Sequence, residues 1–148
     1  GTEVKGKILG IIGLGRIGSE IAKRAQGLEM KVIAYDPYIT ADYAREWQVE
    51  LVPLEQLLKE SDFITLHLTL TASTKGLIGA KELALVKPTV RIINCARGGL
   101  IDEEALAKAV KEKRVAGAAI DVFSTWLFKS AYFAGYATCS RHCTYLFC

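Results

Sequence analysis

One short segment limits the fold more than any other. Gly13-Leu14-Gly15-Arg16-Ile17-Gly18 carries three glycines at G-x-G-x-x-G spacing. The pattern alone is weak. Here it ends the apolar run Lys7–Gly13 (KILGIIG), which reads as a buried strand, and it opens a segment with Ile17, Ile21, Ala25 and Leu28 at helical spacing. A strand feeding a helix through such a turn is the context that gives the pattern meaning. Gly13 permits the tight turn, Gly15 lets a ligand approach the backbone, and Gly18 lets the helix pack closely on the strand. The N–H groups of Arg16 and Ile17 then sit at the positive end of the helix dipole, where a diphosphate is favoured.

A second residue narrows the ligand. Asp36 closes the next strand, Lys31–Tyr35, 18 residues after Gly18. That is close to the spacing expected of an acid that accepts hydrogen bonds from a ribose. Its charge repels a 2′-phosphate, and the following Pro37-Tyr38 offers no arginine to hold one. NAD is therefore expected over NADP. A glycine-rich turn beside an unrelated surface acid is the competing reading, and the conjunction of strand, helix and acid argues against it.

Strand and helix patterns alternate through residue 123. The segment Thr40–Gln48 reads as helix, Val49–Leu51 as a short strand, Pro53–Lys59 as helix and Asp62–His67 as strand. Ala80–Val86 reads as helix, Val90–Cys95 as strand, Asp102 as the cap of a helix Glu103–Lys113, and Val115–Val122 as the last strand. Such alternation implies parallel pairing and right-handed crossovers, hence an α/β, Rossmann-type doubly wound parallel sheet. With 148 residues and 51% hydrophobic composition, one domain with one sizeable core is expected. The 19 basic and 16 acidic residues leave a net charge of +3, too balanced to argue for nucleic acid or a membrane surface. No apolar run reaches the length of a membrane span. Up to Phe123 the only cysteine is Cys95, which suits a cytoplasmic protein better than a disulfide scaffold. The start at Gly1, without Met, reads as a cut inside a longer protein.

Four motifs in order carry a family resemblance. The run Gly6–Gly18, then Tyr35-Asp36-Pro37-Tyr38, then Asn94-Cys95-Ala96-Arg97-Gly98-Gly99-Leu100-Ile101-Asp102, then Ala118-Ala119-Ile120-Asp121-Val122-Phe123 together resemble the NAD-binding domain of D-2-hydroxyacid dehydrogenases, most of all the phosphoglycerate branch. The resemblance implies hydride transfer between C2 of a small 2-hydroxy acid and NAD, and a possible homodimer. It implies that Arg97 is the catalytic arginine, and a guanidinium fork suits a 2-hydroxy carboxylate. Cys95 and Ala96 are implied to contact the nicotinamide side through their backbone, Asp121 its carboxamide, and Leu68 the cofactor through its main chain. His67 matches a cofactor-lining position rather than the family's acid/base histidine. Thr69 stands where the family usually has proline, and Glu29 where a helix-ending glycine is common. Gly27 is expected to take over that turn.

Resemblance stops at Ser124. The family's glutamate normally follows the D-V-F motif closely, and Trp126 stands where it is expected; the later P-H-x-G motif has no counterpart around His142. The segment Ser124–Cys148 holds seven aromatics, three cysteines and no acid. Residues 1–123 are therefore read as the NAD-binding domain and 124–148 as an atypical tail, truncated or read out of frame. Zinc held by Cys139, His142, Cys143 and Cys148 is not expected, because their spacing fits no standard finger. Two functions remain open: a dehydrogenase domain, or a catalytically incomplete NAD(H)-binding module.

Overall fold

The structure, a computed structural model, describes residues 2–124. Everything expected of the tail beyond Ser124, including Trp126 and the zinc candidates, lies outside the described residues.

Among the described residues, six parallel strands form one sheet in the order β3-β2-β1-β4-β5-β6. They are β1 (Ile8–Ile12), β2 (Lys31–Tyr35), β3 (Glu50–Leu51), β4 (Phe63–Leu66), β5 (Arg91–Asn94) and β6 (Gly117–Ile120). The described helices connect them: α1 (Arg16–Gly27), α2 (Ala41–Glu46), α3 (Leu54–Glu60), α4 (Ala80–Leu83) and α5 (Glu103–Lys111). The expected doubly wound sheet is present. Each expected element exists, trimmed by one to three residues at most ends. Pro53 caps α3 from just outside instead of occupying its first turn. The side chains of Thr40 and Asp102 cap α2 and α5 by accepting from Tyr43 and Ala105 N–H.

Alternation along the strands divides the core between the two sheet faces. Leu9, Ile11, Val32 and Ala34 pack under α1 and α2 with Leu14, Ala22 and Ala44. Ile12, Ile33, Ile64, Leu66, Ile92 and Ile120 pack on the other face with Leu57, Leu83 and Leu106 of α3, α4 and α5. Both faces of a parallel sheet must be covered, which is why these strands read as nearly continuous apolar runs.

The helix ends correct one expectation. Gly27 remains the last helical residue, and Glu29 itself takes the left-handed turn with φ 58°. Its N–H donates to Gln26 carbonyl at 2.9 Å and the N–H of Met30 to Ala25 carbonyl at 3.0 Å. This is the paired-bond pattern that closes a helix C-terminus. Gln48 and Lys113 (φ 54° and 57°) end α2 and α5 through the same two bonds. A side chain there costs about 1–2 kcal/mol. The helix-to-strand return requires the backbone shape regardless of the residue supplied, so the nearest glycine in sequence does not relocate it.

Candidate functional site

Strand order reverses between β1 and β4, and in open α/β sheets ligands enter the crevice at that point, beyond the carboxyl ends of the strands. Each residue expected at the site lies on this edge: Gly13 after β1, Asp36 after β2, Leu68 after β4, Cys95 to Arg97 after β5 and Asp121 after β6. From β2 to β5 is three strand spacings, about 14 Å. That suits an extended dinucleotide.

The turn after β1 is shaped by contacts that exclude side chains. Gly13 has φ +99°, and a Cβ there would come 2.8 Å from the His67 carbonyl oxygen. At Gly18 a Cβ would run into the Gly13 carbonyl, so α1 starts pressed against the end of its strand. Gly15 is the opposite case. A Cβ on it would meet nothing within 4 Å, leaving open space in front of the backbone. It caps α1 with no side-chain hydrogen bond, and Arg16 and Ile17 are exposed in the first turn. An uncapped helix start facing open space has donors to offer an anion.

Asp36 is fixed beside that turn. Its Oδ2 accepts the Leu14 N–H at 2.9 Å, and its Oδ1 accepts the Tyr38 N–H at 2.9 Å. One N–H on each oxygen leaves lone pairs on both, because a carboxylate has about four acceptor sites. The acid is thus oriented by the glycine turn itself. A dinucleotide fits these residues: cradle, uncapped helix and acceptor adjoin.

The far end is built differently. Asn94, only 2% exposed, organises the loop after β5. Its Oδ1 accepts the Ala96 N–H at 3.1 Å, its Nδ2 donates to the Arg97 carbonyl at 3.0 Å, and its own carbonyl accepts the Asp121 N–H at 3.1 Å. One side chain therefore shapes the loop while the main chain ties it to β6. Asn94 stands in the motif after β5 with no role of its own expected from sequence. Its signal is a carboxamide ending an otherwise apolar run, where burial demands partners. Arg97 is exposed, and its Nη1 donates to the Ala96 carbonyl at 2.7 Å. Cys95 and Asp121 are exposed on the same edge, while Ala96 is half-buried.

His67 lies where β4 ends. Its N–H donates to the Ile12 carbonyl at 2.8 Å, and its ring Nε2 lies 2.9 Å from Thr65 Oγ1. Burial holds the imidazole below the ordinary histidine value, favouring the neutral ring. Leu68 is half-buried and packs against Gly13 and the core. Among the described residues no group of His, Cys, Asp and Glu is placed to hold a metal ion. No helix among them is long and apolar enough to cross a membrane.

Comparison with known proteins agrees with this geometry. The family model described as "D-isomer specific 2-hydroxyacid dehydrogenase, NAD binding domain" matches residues 1–131. A D-3-phosphoglycerate dehydrogenase from Synechocystis sp. is 52% identical over 124 residues, which are 84% of this chain and 22% of that protein. The chain therefore spans under a quarter of the length of this relative. A glyoxylate reductase from Paecilomyes thermophila superposes with a TM-score of 0.80 at 40% identity, covering 86% of this chain and 38% of that one. The NAD-complexed form of a D-isomer specific 2-hydroxyacid dehydrogenase from Lactobacillus delbrueckii ssp. bulgaricus gives 0.78 at 36% identity, covering 94% and 40%. Sequence motifs, sheet order and the matched family model converge: the chain belongs to the NAD-binding domain family of the D-isomer specific 2-hydroxyacid dehydrogenases.

Proposed function

We propose that residues 1–123 form the cofactor domain of an NAD-dependent dehydrogenase acting on a 2-hydroxy acid, with 3-phosphoglycerate the favoured substrate. The observation that carries the reading is the Asp36 carboxylate, held 2.9 Å from the Leu14 N–H beside the uncapped start of α1. The main-chain N–H groups of Gly15, Arg16 and Ile17 take the diphosphate, aided by the small surface of Gly13 and Gly18. Asp36 takes the adenosine ribose. Leu68, Cys95 and Ala96 line the path toward the nicotinamide, and Asp121 receives its carboxamide. Bound NAD supplies the hydride acceptor. Arg97 swings from the Ala96 carbonyl to clamp the substrate carboxylate, a charge-assisted and directional pairing. Phosphoglycerate is preferred because relatives named for it match at about half identity. A cytoplasmic location is proposed with it, in keeping with Cys95 as the single cysteine of residues 1–123.

Removal of the hydroxyl proton needs a group titrating near neutrality. We assign none in this chain. His67 matches a cofactor-lining position and its ring Nε2 is engaged with Thr65 Oγ1, and Trp126 stands where the acid is expected just after Asp121-Val122-Phe123. By itself the chain binds NAD(H) and turns over little substrate. Titration of the 148-residue chain with NADH, followed by cofactor fluorescence, tests the reading: the wild type binds, and Asp36→Arg loses affinity. Absence of NADH binding by the wild type sinks it.

A further inference from the structure

Two acids open α5, and only one faces water. Glu104 is exposed, whereas Glu103 is 7% exposed. A carboxylate near a helix N-terminus is favoured by the dipole and needs no burial to gain from it. The burial of Glu103 calls for another reason. Its Oε1 accepts the Ser124 N–H at 2.7 Å, and its Oε2 accepts the Ser124 hydroxyl at 2.9 Å. Both oxygens are thus committed to one residue of the segment that leaves β6. At the same place the loop after β5 is pressed against that segment. A Cβ on Gly98 would run into the Phe123 carbonyl group and come 2.6 Å from the Ser124 nitrogen. Asp121 and Arg97, three residues before Ser124 and one before Gly98, lie on the two strands of chain this contact joins.

We infer that Glu103 is a positioning residue: by gripping Ser124 across the Gly98 contact, it fixes the segment carrying Asp121 against the loop carrying Arg97, and so pre-forms the nicotinamide end of the cofactor site. The inference rests on the proposed roles of Asp121 and Arg97. It assigns Glu103 no contact with cofactor or substrate. Without the grip, the segment after β6 must be ordered when the cofactor binds, and that cost is charged to affinity. The adenosine end, built on β1 and β2, does not share it.

ADP-ribose, which lacks the nicotinamide ring, separates the two ends. Calorimetric titration of the 148-residue chain with NADH and with ADP-ribose should show Glu103→Ala weakening NADH about tenfold and ADP-ribose by less than about twofold. Glu103→Gln, able to accept only one of the two bonds, should fall between wild type and Glu103→Ala. Ser124→Ala keeps the main-chain bond and should weaken NADH about threefold. It carries the test if Glu103→Ala does not fold. Equal weakening of both ligands reveals a merely structural acid and overturns the inference, as does unchanged NADH affinity in the variants that fold. A wild type that binds neither ligand sinks the cofactor reading itself; one that binds ADP-ribose with no NADH-selective loss in the variants sinks only the role of Glu103.

Discussion

The two ends of the candidate site, proposed to hold adenosine and nicotinamide, are made by different means. Around Gly13 and Asp36, shape comes from backbone packed so closely that side chains are excluded, and the acid is anchored to the turn it serves. Around Arg97 and Asp121, shape comes from side chains: Asn94 folds its own loop, and Glu103 ties α5 to the segment after β6. The first arrangement is largely local in sequence, built on one strand-helix-strand unit with the His67 carbonyl closing over Gly13. The second joins β5, α5 and the exit from β6. A site of the first kind is rigid as soon as the sheet forms, while one of the second kind depends on contacts that single substitutions remove.

The largest expected effect is at the rigid end. Gly13→Ala forces a side chain into left-handed backbone and against the His67 carbonyl, together about 3 kcal/mol. A melting temperature lower by roughly 10 °C, with loss of both NADH and ADP-ribose binding, would show that the cradle and the fold are one object. Retention of ADP-ribose binding would break that link. Next comes Asn94→Ala. It strips partners from the Ala96 N–H and the Arg97 carbonyl, costing about 2 kcal/mol. Denaturant unfolding should register the loss, and titration should find NADH weakened more than ADP-ribose. Equal weakening would dissolve the distinction between the two ends.

Smaller effects lie away from the loops. Replacing Glu29, Gln48 or Lys113 with glycine relieves left-handed strain and should stabilise the chain by up to about 1 kcal/mol each, without altering NADH affinity. A destabilised Glu29→Gly would mean that its ion pair with Lys5 outweighs the backbone relief. The smallest effect concerns pH. Because burial lowers the His67 pKa, the unfolded chain takes up this proton first as pH falls. The stability His67 contributes is present above the ordinary histidine pKa of about 6.5, and it is lost as pH drops through that value toward the lower folded one. Melting temperature should therefore fall less steeply from pH 7 to 5 in His67→Gln than in wild type. Identical slopes would mean the ring is not held neutral.

What the sequence made legible follows the same division. The glycine turn after β1 was readable because glycine spacing, an apolar run and a helical period coincide within about 20 residues. Asp36 was readable from its distance along the chain. The positions of Arg97 and Asp121 came from motif likeness. Their supports did not, because Asn94 acts through a loop conformation and Glu103 through a partner 21 residues away. Nothing local distinguishes Glu103 from Glu104. At α1, likeness suggested that Gly27 would turn the chain, yet the hydrogen-bond pattern set by helix length put that burden on Glu29.

Most direct of all is a crystal structure of the chain with ADP-ribose bound. The account predicts the diphosphate on the main-chain amides of Gly15 to Ile17, with a ribose hydroxyl within hydrogen-bond distance of Asp36. A diphosphate seated elsewhere, or a ribose turned away from that carboxylate, would contradict it.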